Sequence, residues 1–88
     1  ANVDIPQGYK ATHFTFYSAY IQATIYENTL TGGNVAAKGN VTSQGSATKI
    51  IDINPDVTGT SSNYLSVYLN AYNASSFYSG GYITLAKV

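Results

Sequence analysis

The chain has 88 residues, 44% of them hydrophobic, only 9% charged, with formal net charge zero and no cysteine. Such a length gives one domain with a single thin core, and such a charge content, against about 25% in ordinary soluble domains, leaves no cationic footprint for nucleic acid. Disulfides, cysteine nucleophiles and cysteine-ligated zinc are excluded outright, and no run of apolar residues is long enough for a transmembrane helix.

Residues 1–8 come first. Val3 and Ile5 alternate with Asn2 and Asp4, and Pro6 ends the run. This segment is expected to be either an edge strand of the domain or a strand given to the edge of a neighbouring copy. Residues 12–18 read as a strand, with Phe14 and Phe16 on one face and His13, Thr15 and Tyr17 on the other. Residues 20–27 follow, with Ile21, Ala23 and Ile25 inward and Tyr20, Gln22, Thr24 and Tyr26 outward. Asn28 to Asn34 holds a turn around Gly32-Gly33.

Val35–Ala37 and Asn40–Ser43 read as a short strand pair or as one bulged strand broken at Gly39. Residues 47–53 form a strand of mixed alternation, closed by a turn at Asn54-Pro55-Asp56. The plainest alternation is in 63–72: Leu65, Val67, Leu69 and Ala71 point one way, Tyr64, Ser66, Tyr68, Asn70 and Tyr72 the other. Asn73 to Gly81 reads as a polar loop, and 82–87 as the last strand, with Ile83 and Leu85 inward. Six or seven short strands with regular turn signals predict an all-β domain over 1–88, a small antiparallel β-sandwich of jelly-roll or immunoglobulin-like type, or a small barrel.

Chemistry-bearing residues are few. His13 is the one histidine, and no Gly-x-Ser-x-Gly elbow accompanies it. Glu27 with Asp52 or Asp56 would be the carboxylate pair of a glycosidase, but a domain this small rarely walls off such a site. Asp52, Asn54 and Asp56 spell the first half of a calcium loop, yet Val57 stands where glycine and Asn63 where glutamate would belong. A turn accounts for the same spelling, and whether these residues bind calcium stays open. No enzyme activity, cofactor or metal site is expected.

The tyrosines carry more. Nine are present. Tyr64, Tyr68 and Tyr72, about 13 Å from one to the next along an extended strand, share a face with Ser66 and Asn70. A neighbouring strand would bring Tyr20 and Tyr26 alongside. Aromatic rings among amides and hydroxyls suit protein contacts and the C–H faces of sugars, while cross-strand tyrosines also stabilise a sheet with no ligand at all.

One stretch pattern resembles a known family. Ile25-Tyr26-Glu27-Asn28, Gly33-Asn34-Val35-Ala36, Thr58-Gly59, Tyr64-Leu65-Ser66-Val67-Tyr68 and Gly81-Tyr82-Ile83-Thr84-Leu85, over about two-thirds of the chain, are similar to bacterial pre-peptidase C-terminal domains. The resemblance implies a secreted β-sandwich appended to exoenzymes and implicated in polymer binding or secretion. The chain is shorter than that family and has Ala23-Thr24-Ile25 where an acidic pair usually precedes the central aromatic, so no metal ligands carry over.

The composition together with Ala1 at the start, which suits signal-peptidase cleavage although an artificially chosen start would look the same, makes an extracellular location the expectation. The expected function is a secreted, non-catalytic structural or adhesive module that self-associates or packs on other extracellular surface proteins. A carbohydrate- or cell-surface-binding module of an exoenzyme, with polysaccharide as partner, is the alternative. A small bacteriocin-like toxin is a third, weakened by the lack of cationic charge that membrane-active proteins carry.

Overall fold

The period-two patterns become seven strands in two antiparallel sheets. A computed structural model describes residues 2–30 and 32–88; Ala1, and Thr31 within the Asn28–Asn34 turn, lie outside the described residues. The strands are β1 (Asn2–Val3), β2 (Tyr9–Ala19), β3 (Ile21–Thr29), β4 (Val35–Thr42), β5 (Ala47–Thr58), β6 (Asn63–Ala71) and β7 (Phe77–Lys87). One sheet has the order β1-β6-β3-β4 and the other β5-β2-β7. The chain is an all-β sandwich, and no helix among the described residues is long and apolar enough to cross a membrane.

The inward faces meet in one core. Phe14 and Phe16 from β2, Ala23 and Ile25 from β3, Ile51, Ile53 and Val57 from β5, and Leu65 and Val67 from β6 are all buried. Phe14 and Phe16 stack at 5.3 Å, and Tyr78 leans on Phe16 at 6.0 Å. The N-terminal segment belongs to this fold as an edge: Asn2 pairs with Ser66, Val3 with Leu65, and Ile5 drops into the core.

Tyr20 makes the crossing between sheets. It alone separates β2 in one sheet from β3 in the other, at φ 53°. That conformation costs a non-glycine residue about 1–2 kcal/mol, and it is held by the surroundings. The Tyr20 carbonyl accepts from the Ser76 hydroxyl at 2.7 Å, and Tyr72 meets the Tyr20 ring edge-on at 6.2 Å. Gly32 and Gly33, both at positive φ, turn the chain from β3 to β4, and the Thr29 amide donates to the Asn34 carbonyl across the turn.

Three expectations need correction, and one alternative is decided. Asn54-Pro55-Asp56 does not reverse the chain. β5 runs through it as a wide bulge, in which Ile53 to Asp56 stand opposite Thr12 alone, because Val57 and Thr58 pair again with Ala11 and Lys10. Phe77 to Gly81 is strand rather than loop: β7 starts at Phe77, and its glycines accommodate a register shift opposite Phe16–Ser18. Of the two readings of 35–43, one bulged strand holds: β4 is a single strand with its bulge at Lys38, since Ile25 pairs with Gly39 and the next residue, Tyr26, with Ala37. Lastly, Leu69, Ala71 and Leu85 follow the inward alternation but are exposed.

Candidate functional site

The candidate site is built on the outer face of the four-stranded sheet. β6 pairs with β3 without a register shift, so side chains at matched positions stand beside one another. Tyr64 lies next to Asn28, Ser66 next to Tyr26, Tyr68 next to Thr24, and Asn70 next to Gln22. On the far side of β3, Asn40 is beside Thr24 and Thr42 beside Gln22; on the near side of β6, Asn2 is beside Ser66. None of these positions carries a charge.

The burial that this face requires is present. Leu65 and Val67, which alternate with the face residues, are in the core, whereas Tyr68 is 60% exposed. Tyr26, Tyr64 and Ser66 are half-buried by their neighbours, and Asn70 is exposed. Within the face, the Asn28 amide donates to Ser66 Oγ at 2.9 Å, which fixes the hydroxyl between Tyr64 and Tyr26.

Tyr20 and Tyr72 sit apart from that row. Tyr72 follows the last residue of β6, and its hydroxyl donates to the Ser43 carbonyl. With Tyr20 it forms the corner where the chain changes sheets. These two rings brace the fold at that end, while Tyr64, Ser66, Tyr68, Asn70 and Tyr26 form the continuous surface.

Several of the charged groups pair elsewhere. Lys38 Nζ is 3.6 Å from Glu27 Oε1, and Asn63 donates to Glu27 Oε2 at 3.0 Å. Lys10 reaches Asp56 at 3.4 Å, and His13 Nε2 lies 3.6 Å from Asp52 on the open face of the other sheet. Asp52 and Asp56 therefore turn to different partners. No group of three or more metal-ligating His, Cys, Asp or Glu side chains occurs among the described residues. Burial against Phe16 pushes the Tyr78 phenol above its ordinary pKa.

A second aromatic surface lies on the outer face of β5-β2-β7. Thr15 is flanked by Ile50 and Tyr82, both strongly exposed, and Tyr17 packs on Phe77 at 5.7 Å. Tyr17 and Tyr82 are outward by alternation in the sequence. Ile50 was obscured by the mixed pattern of 47–53, and Phe77 by the polar residues around it.

No protein-family model matches the chain, and no curated protein or solved structure does either, so what the chain does must be argued from its own residues.

Proposed function

We propose that the chain is a secreted, non-catalytic structural or adhesive module whose copies associate with one another, or with other extracellular surface proteins, through uncharged Tyr/Ser/Thr/Asn faces and free strand edges. The observation that carries this is the outer face of β1-β6-β3-β4. It presents an exposed tyrosine among hydroxyls and amides, with no charged residue at the register positions around it. Interface cores are depleted of charge and enriched in tyrosine, and covering such a face desolvates no ion. Zero net charge means that copies meet without long-range repulsion.

Static light scattering on concentrated protein tests the face. Replacing Tyr64 and Tyr68 together by alanine is expected to weaken association about tenfold or more, the scale of an interfacial tyrosine, with the fold retained. Undiminished association in the double variant would remove the face from the account.

Polysaccharide is the second reading. The Tyr68 ring, bordered by Thr24, Asn70 and Gln22, offers an apolar plate with polar edges, which matches the two chemistries of a sugar ring. Retention of the wild-type chain on cellulose or chitin, lost in Tyr68→Ala, would favour it over protein contact.

A further inference from the structure

The two flanks of the sandwich are guarded unequally. On one flank β4 and β5 lie side by side, with Gly39 against the Asp52 backbone. Those two strands hold Lys38, Lys49, Asp52 and Asp56, half of the chain's charged residues, together with Pro55 and a bulge in each strand. Charges, proline and bulges are the devices by which edge strands resist pairing with other chains. On the opposite flank the edge strands are β1 and β7, and β7 has almost none of them. β7 pairs with β2 on one side and with no strand on the other among the described residues. From Phe77 to Ala86 it contains neither charge nor proline. Its stretch Gly81 to Lys87 meets β2 with no extra residue on β7 itself.

A second observation falls on the same flank. Leu85 stands opposite the fully buried Ala11 and shares its inward direction with Ile83, yet Leu85 is 41% exposed. No strand among the described residues pairs with the outer edge of β7 beside it. The flank thus offers a free backbone edge and apolar side chains that an added strand would cover.

We propose that β7 pairs antiparallel, edge to edge, with β7 of a second copy about a two-fold axis, joining two three-stranded sheets into one of six strands. A second copy is the occupant because it supplies an edge of the same length and the same lack of charge. The antiparallel two-fold sends the two Lys87 residues to opposite ends, whereas a parallel pairing would set them together. A centre at Thr84 uses all of Gly81–Lys87 and leaves out the irregular Ser79-Gly80. It sets Leu85 of each copy beside Ile83 of the other. Seven residues of ladder cover far less than the roughly 1,200–2,000 Å² of a standard interface, so the dimer is weak and separates on dilution. With the tyrosine face as a second contact, dimers would link into open chains. This inference rests on the self-association proposed above and assigns it an interface.

The chain has no cysteine, so a single introduced one reports contact directly. Across the two-fold, directly opposed Cα atoms are about 4.5–5.5 Å apart, inside the range of about 4.4–6.8 Å that a disulfide spans. Mild oxidation of Thr84→Cys is expected to give covalent dimer at about ten times the yield of Ser46→Cys, an exposed loop position between β4 and β5 that lies in neither proposed contact. Tyr82→Lys, at a strongly exposed edge position, is expected to raise the dimer dissociation constant about tenfold without moving the melting temperature. A wild-type dimer with no excess cross-linking at Thr84→Cys and no response to Tyr82→Lys overturns the β7 interface while self-association stands. A wild type that stays monomeric at every concentration overturns both.

Discussion

Phe16→Ala is expected to destabilise the domain by about 4 kcal/mol, the scale of emptying a fully buried aromatic site. Phe16 is 2% exposed, stacks on Phe14 and takes the Tyr78 ring on its other side, so its removal strips contacts from both. An 88-residue domain is stable by on the order of 4–13 kcal/mol in all. The variant should therefore unfold at a far lower urea concentration than the wild type, or be largely unfolded in buffer. Tyr68→Ala removes a ring of similar size from the exposed face and should cost no more than about 1 kcal/mol, a matter of strand preference. Equal losses in the two variants would mean that the inward and outward faces have been assigned wrongly. Equilibrium urea denaturation followed by tyrosine fluorescence separates these outcomes.

The second large effect is expected at Gly81. A methyl group there would meet the Thr15 carbonyl oxygen, lie 2.8 Å from Phe16 Cβ and 3.0 Å from Phe14 Cε1. The nearest of these is backbone in the middle of β2 and has nowhere to go. Gly81→Ala should cost about 3 kcal/mol, which lowers the melting temperature by roughly 15 °C in a domain of this size. Gly45→Ala is the matched control. Its methyl group would meet nothing within 4 Å, so its effect should stay within about 0.5 kcal/mol. Thermal unfolding by circular dichroism reads both.

Much of this fold is legible in the sequence, and the reason is burial on one side. Where a strand has one face in the core, alternation records it. Phe14 and Phe16, Ala23 and Ile25, and Leu65 and Val67 are inward in sequence and in structure. What alternation does not record is whether an inward position is covered. Leu69 and Leu85 obey the same pattern as Val67 and Ile83 and are nonetheless exposed, although each stands opposite a fully buried alanine, Ala23 and Ala11. Punctuation misleads in the same way. Asn54-Pro55-Asp56 and Gly80-Gly81 spell turns by composition, but β2 continues past both, and pairing with it keeps β5 and β7 extended through bulges.

The candidate surface divides along similar lines. The alternation of 63–72 with that of 20–27 predicts Tyr64, Ser66, Tyr68 and Asn70 on one face, with Tyr26 alongside, and the unshifted register of β3 with β6 places them so. The corner of Tyr20 and Tyr72 carries no local signature. A tyrosine at φ 53° is adopted for the sake of the sheet crossing, and the donation from Tyr72 to Ser43 spans 29 residues. The Tyr17–Phe77 pair was hidden because it depends on β7 beginning five residues before the last plain alternation.

Sedimentation equilibrium of the wild-type chain over a wide concentration series tests most directly whether these uncharged surfaces bring copies together. The account predicts an apparent mass that climbs above that of the monomer as concentration rises and changes little with added salt, since no charged pair holds the contact. A single species at the monomer mass up to the limit of solubility would contradict it.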